Sequence, residues 1–72
     1  MIIEIDGIEY SKVFDFNDEI LGDVSHFIST KESGEIVHQF FIKKKLDDQT
    51  VFVMLDEKDN ENIIKKYLGG RK

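Results

Sequence analysis

Apolar positions in the first sixteen residues fall two apart. Ile3 and Ile5 are followed, across Asp6-Gly7, by Ile8, Tyr10, Phe14 and Phe16. A period of two is the signature of β-strands with one sheltered face. Asp-Gly suits a two-residue hairpin turn, which needs positive φ at both central positions. Strands over Met1–Ile5 and Ile8–Phe16 are therefore predicted to pair with Ile5 opposite Ile8, Glu4 opposite Glu9 and Ile3 opposite Tyr10. Directly opposed glutamates repel unless solvated, so their side of the hairpin is expected to be wet. Lys12 interrupts the apolar row and Val13 the polar one.

Three further strands follow from β-branched and aromatic runs: Val24–Thr30, Ile36–Lys44 and Thr50–Leu55. Between the second and third, Asn17–Asp23 reads either as one helical turn, started by Asn17 and ended by Gly22, or as a plain loop. Gly34 fits the left-handed position of a three-residue hairpin loop. In that register Ile28 faces His38 and His26 faces Phe40. The chain then changes period. Ile63, Ile64, Tyr67 and Leu68 fall on one side of a helix. Asp56, Asp59 and Asn60 are its candidate caps, and Gly69-Gly70 its stop. A helix of about ten residues does not persist alone in water, so it must dock on the sheet.

The expected fold is α+β: a four- to five-stranded antiparallel β-meander, curled or barrel-like in its main variant, with one C-terminal helix packed on it. Residues 1–70 are expected to form one compact domain, with Arg71-Lys72 a frayed tail. Strands four and five carry large apolar residues on both faces: Phe40, Ile42, Val51, Val53 and Leu55 on one, Phe41, Phe52 and Met54 on the other. One short helix shelters one face. The other must be closed by curling, by a second copy, or by a partner.

Composition narrows the picture. A chain of 72 residues buries only about 60% of its unfolded surface. The absence of cysteine removes disulfides and thiolate metal sites. Neither a secretory leader pattern nor a membrane-spanning apolar run is visible, which makes the cytoplasm the expected location and a membrane partner unexpected. The ten isoleucines, and nine lysines to one arginine, suit an AT-rich genome, as in low-GC bacteria and their phages. The net charge of −5 is uneven. Residues 1–42 hold nine acids against two bases, and residues 43–72 six against eight. An acidic front disfavours broad contact with nucleic-acid phosphates and suits a basic partner.

Candidate chemistry is sparse. His26 and His38 are predicted to lie diagonally on one face, but no third ligand accompanies them and zinc wants three or four, so no metal site is expected. Asp56–Glu61 lacks the alternation and the glycine of a calcium loop. Asp47-Asp48 belongs to a turn. No activated serine or cysteine and no phosphate-cradling loop is present. The chain is therefore expected to be no enzyme and to take no small-molecule cofactor. The leading expectation is a small protein-binding module, a regulator or inhibitor that engages a protein partner or forms a homodimer. Its surface would be the acidic hairpin (Glu4, Glu9, Asp15, Asp18, Glu19) or the uncovered sheet face (Phe52, Met54). The alternative is nucleic-acid binding through Lys43, Lys44 and Lys45 with an exposed Phe40 or Phe41. A second alternative is acidic mimicry of a nucleic acid.

Overall fold

The computed structural model describes residues 1–69. Five strands, β1 (Ile2–Ile5), β2 (Ile8–Asp18), β3 (Gly22–Thr30), β4 (Ile36–Leu46) and β5 (Gln49–Met54), precede one helix, α1 (Glu57–Tyr67). The strands form one antiparallel sheet in chain order. It curls into a half-barrel. The expected α+β meander is thus the fold. The expected tail, Arg71-Lys72, lies outside the described residues.

Local chemistry sets the hairpins. Asp6 and Gly7 both take positive φ (52° and 80°), and Ile5, Glu4 and Ile3 face Ile8, Glu9 and Tyr10 as the turn requires. Gly34 at φ 95° closes the β3–β4 hairpin, with Lys31 and Glu35 bonded across its mouth. Asn17–Asp23 is neither a helical turn nor a plain loop. Here β2 and β3 extend to Asp18 and Gly22, and the Asp18 carboxylate accepts the Ile20 and Leu21 N–H groups, each at 3.0 Å. That side chain satisfies the turn locally, so the strands run two residues closer than the apolar pattern indicated.

The second strand departs from strict alternation. Lys12 pairs with Phe27 and Phe14 with His26, leaving Val13 as an extra residue in a β-bulge. One extra residue reverses the parity that sequence spacing implies. Tyr10 and Lys12 therefore lie on one face of the sheet with Phe27. Phe14 and Phe16 lie on the other, beside His26 and Val24. The expectation that Tyr10, Phe14 and Phe16 share a face is overturned by this bulge.

Two apolar clusters result. On the helix side Val24, Phe40, Leu55 and Ile63 are buried, with Phe16, Leu21, Ile42 and Ile64 against them. On the opposite side Tyr10, Phe27 and Phe41 are buried, flanked by Ile3, Ile5 and Phe52. No helix reaches that second side, yet Phe27 and Phe41 are each 0% exposed. The curl of the sheet covers them, with Tyr10 reaching Phe41 at 5.8 Å and Phe27 reaching Phe52 at 5.5 Å. Asp56 caps α1 by accepting the Asp59 N–H at 2.8 Å. Ile63, not Tyr67 or Leu68, is the helix residue that is buried. Val53, expected in the core, is exposed with those two.

Candidate functional site

The strands β2 and β3 pair only as far as Ser11 opposite Ile28, although β2 reaches back to Ile8 and β3 on to Thr30. Past that point the two hairpins diverge. Between them lies a cleft of about 960 Å³, lined on one side by Gly7–Ser11 and on the other by Ile28–Ser33, with Val37. Its apolar lining comes from buried Tyr10, half-buried Ile28 and Val37 and exposed Ile8, beside nearly as much polar surface from Ser11, Ser29, Thr30 and Ser33. Its walls are strand edges. Lys12 donates to Met1 and Lys31 to Glu35, so alternation along each strand turns the N–H and C=O of Glu9 and Thr30 toward the cleft.

The rim is acidic. Glu4, Asp6 and Glu9 occupy the first hairpin and Glu32 and Glu35 the second, all exposed. Lys31 is the base at this end, and its Nζ lies 3.6 Å from Glu35. The opposed pair Glu4 and Glu9 is solvated, as the hairpin register requires.

The remaining acids singled out from the sequence do other work. Asp18 is only 2% exposed and presents no carboxylate to a partner. Besides its own loop, it accepts from Tyr67 Oη at 2.7 Å and from Lys66 Nζ at 3.0 Å, which ties the end of α1 to the β2–β3 turn. The Leu21 N–H first, then Tyr67 and Lys66, hold its carboxyl well below the usual range. The same contact pushes the Lys66 ammonium and the Tyr67 hydroxyl upward. Asp15 faces the side away from the helix because of the bulge. There it bonds Lys12 at 2.7 Å, Lys43 at 3.3 Å and the Ser25 hydroxyl. Lys12 above all, then Ser25 and Lys43, bring its carboxyl down to about 2. Glu19 is exposed in the turn.

Of the residues of the nucleic-acid expectation, Lys43, Lys44 and Lys45 line one shallow pocket with Asp23 and Thr50, but the two phenylalanines do not join them at the surface. Phe40 and Phe41 are 1% and 0% exposed, so neither offers a ring on which a base stacks. Both are needed inside because they sit on a central strand with an apolar cluster on each face. Lys43 is half-buried against Asp15, and Lys44 points to the opposite face from Lys43 and Lys45. Phe52 is half-buried in the second cluster, and Met54 is exposed at its rim.

Two features of the molecule carry no local sequence signal. Asn60, a candidate helix cap by position, uses its side chain on β4: it accepts the Phe40 N–H at 2.7 Å and donates to the His38 carbonyl at 3.1 Å. It completes the edge of β4 where β5 has already ended. The cleft itself has no signal in the sequence, because it arises where two predicted hairpins fail to stay parallel. The predicted diagonal of histidines is present, with His26 Nε2 2.9 Å from His38 Nδ1. Among the described residues no group of three or more histidine, cysteine or carboxylate side chains is placed to hold a metal, and no helix is long and apolar enough to cross a membrane. Comparison with family models, with curated proteins and with solved structures finds no match to this chain.

Proposed function

We propose that this protein is a non-catalytic binding module that takes an extended, basic segment of a partner protein into the cleft between its two hairpins. The observation that carries this reading is the divergence of β2 and β3 beyond Ser11 and Ile28. It leaves strand edges, apolar side chains (Ile8, Tyr10, Ile28, Val37) and the carboxylates of Glu9 and Glu32 in one place. A volume near 960 Å³ is at the upper end of what holds a small ligand, and suits a few residues of extended chain. Backbone groups of Glu9 and Thr30 supply main-chain pairing, the usual source of affinity when a strand is added to a sheet. Glu9 and Glu32, the acids that line the cleft, supply attraction and steering for lysine or arginine side chains, with Glu4, Asp6 and Glu35 on the same two hairpins. The shifted carboxyls, Asp15 and Asp18, are held by structural ion pairs and hydrogen bonds, which favours binding over acid–base chemistry.

A labelled peptide of alternating lysine and valine tests this by fluorescence anisotropy, with chemical-shift mapping on the protein. Binding is expected with shifts at Ile8–Ser11 and Ile28–Ser33, and weakening as salt rises. The double variant Glu9→Lys, Glu32→Lys is expected to weaken it by about tenfold or more, since like charge now opposes the peptide. Shifts confined to Lys43–Lys45, or a stronger response to single-stranded DNA than to the peptide, would overturn the reading.

A further inference from the structure

Beyond that binding role, we infer that His26 and His38 form a proton-operated latch between β3 and β4: the neutral pair closes it and one added proton opens it. The geometry allows a count of hydrogens. His26 is 4% exposed, and its Nδ1 has no hydrogen-bond partner among the described residues. Its Nε2 lies 2.9 Å from Nδ1 of His38, which is half-buried. Two neutral imidazoles carry two N–H hydrogens on four nitrogens. One hydrogen occupies the shared bond. The other sits on His26 Nδ1, where it is buried without an acceptor, or on His38 Nε2, on the more accessible ring. A buried donor without an acceptor is costly, so it sits on His38. Both rings are thereby assigned the Nε2–H tautomer, with His26 donating to His38.

A third hydrogen then has one vacant nitrogen, His26 Nδ1. Protonating either ring while keeping the N···N bond ends with a hydrogen there, whichever ring formally takes it. A buried cation with an orphaned N–H is the result. Among the described residues its surroundings offer that N–H no acceptor. From β2, Phe14 meets His26 edge-on at 5.5 Å; from β4, Phe40 stacks on it at 4.5 Å. The helix contributes the neutral Asn60 amide, bonded to the His38 carbonyl. Among the described residues, His38 is the one titratable group whose charge acts on His26. Burial first, and His38 second, push the His26 imidazole below its ordinary value.

The sign follows. The unfolded chain takes a proton on this imidazole near its ordinary value of about 6.5, and the closed latch does not, so stability is fully present above that value and is lost as pH falls below it. If His26 takes no proton in the folded state, that imidazole by itself lowers the folding equilibrium at pH 5 by about 30-fold relative to pH 7.5, and the fall is larger where His38 is held neutral with it. Imidazole ¹⁵N spectra at pH 8 are expected to show both rings as Nε2–H. Urea unfolding at pH 7.5 and 5 is expected to show a fall of several-fold or more. His26→Phe should abolish that fall. His38→Gln should keep it, because the amide oxygen still accepts from His26. A His26 Nδ1–H tautomer at pH 8, or equal stability at the two pH values, overturns the latch. Both are read on the unaltered chain, so a His26→Phe variant that fails to fold leaves the decision intact.

Discussion

At the scale of single residues, the informative side chains are polar ones that left the surface. Asp18 was expected to face a partner and instead ties two segments together, its own turn and the end of α1 at Lys66 and Tyr67. Tyr67 lies 49 positions away in the chain, so nothing local announced the contact. Asp15, which stays at the surface, is held by Lys12, Ser25 and Lys43. Both carboxyls titrate below their unfolded value of about 4, so the stability they confer is present above that pH and lost as pH falls through it toward 2. Urea unfolding between pH 5 and 2.5 is expected to show this acid limb. Asp18→Asn should lower the urea midpoint at pH 7 and flatten the limb. An unchanged limb in that variant would remove Asp18 from the explanation.

Among the elements, β2 teaches the most. Its pattern showed two neighbouring breaks, Lys12 in the apolar row and Val13 in the polar one. Together they were the mark of a bulge, but two mismatches also fit an ordinary strand with a polar intrusion. Only pairing with β3 distinguishes the two. Because Val13 is the extra residue, its deletion should leave Lys12 opposite Phe27 and Phe14 opposite His26. The variant is expected to fold, with a stability change within about 1 kcal/mol, since Val13 is exposed and buries little. Contacts of Tyr10 with Phe41 and of Phe16 with Phe40, followed by NOE, should persist. Their loss would show that the bulge is needed to curl the sheet. The helix was legible in its period and in Asp56. Asn60 was not, because its partners are the Phe40 N–H and the His38 carbonyl, and an amide that caps and an amide that pairs look identical in sequence.

For the whole molecule, the question raised by the sequence was how one helix serves two apolar faces. The half-barrel answers most of it: Tyr10, Phe27 and Phe41 are dry without a second layer. What stays open is the end where the hairpins part and the rim at Met54, which is why the binding proposal rests on the cleft and not on the sheet face at large. A chain of 72 residues has about 4–11 kcal/mol of stability in total. Phe41→Ala removes a fully buried ring from a cluster that no helix backs, at a cost of about 3–5 kcal/mol. Thermal unfolding monitored by circular dichroism should show that variant largely unfolded or with a sharply lowered Tm. A loss below 1 kcal/mol would mean the curl collapses to fill the space and that this face is not a true core.

The sequence by itself determined the strands, their order, the registers across Asp6-Gly7 and Gly34, the diagonal of histidines and the existence of the helix. Each depends on residues close along the chain, where turn chemistry and periodicity act directly. Tertiary structure alone decided which face Phe14 and Phe16 occupy, that Asp18 is buried, that Asn60 completes β4, and that β2 and β3 part to leave a cleft. Those outcomes depend on contacts between residues 10 to 49 positions apart, strand to strand and sheet to helix. At that range many packings satisfy the same local pattern, and only the summed burial and hydrogen bonding of the folded chain selects one.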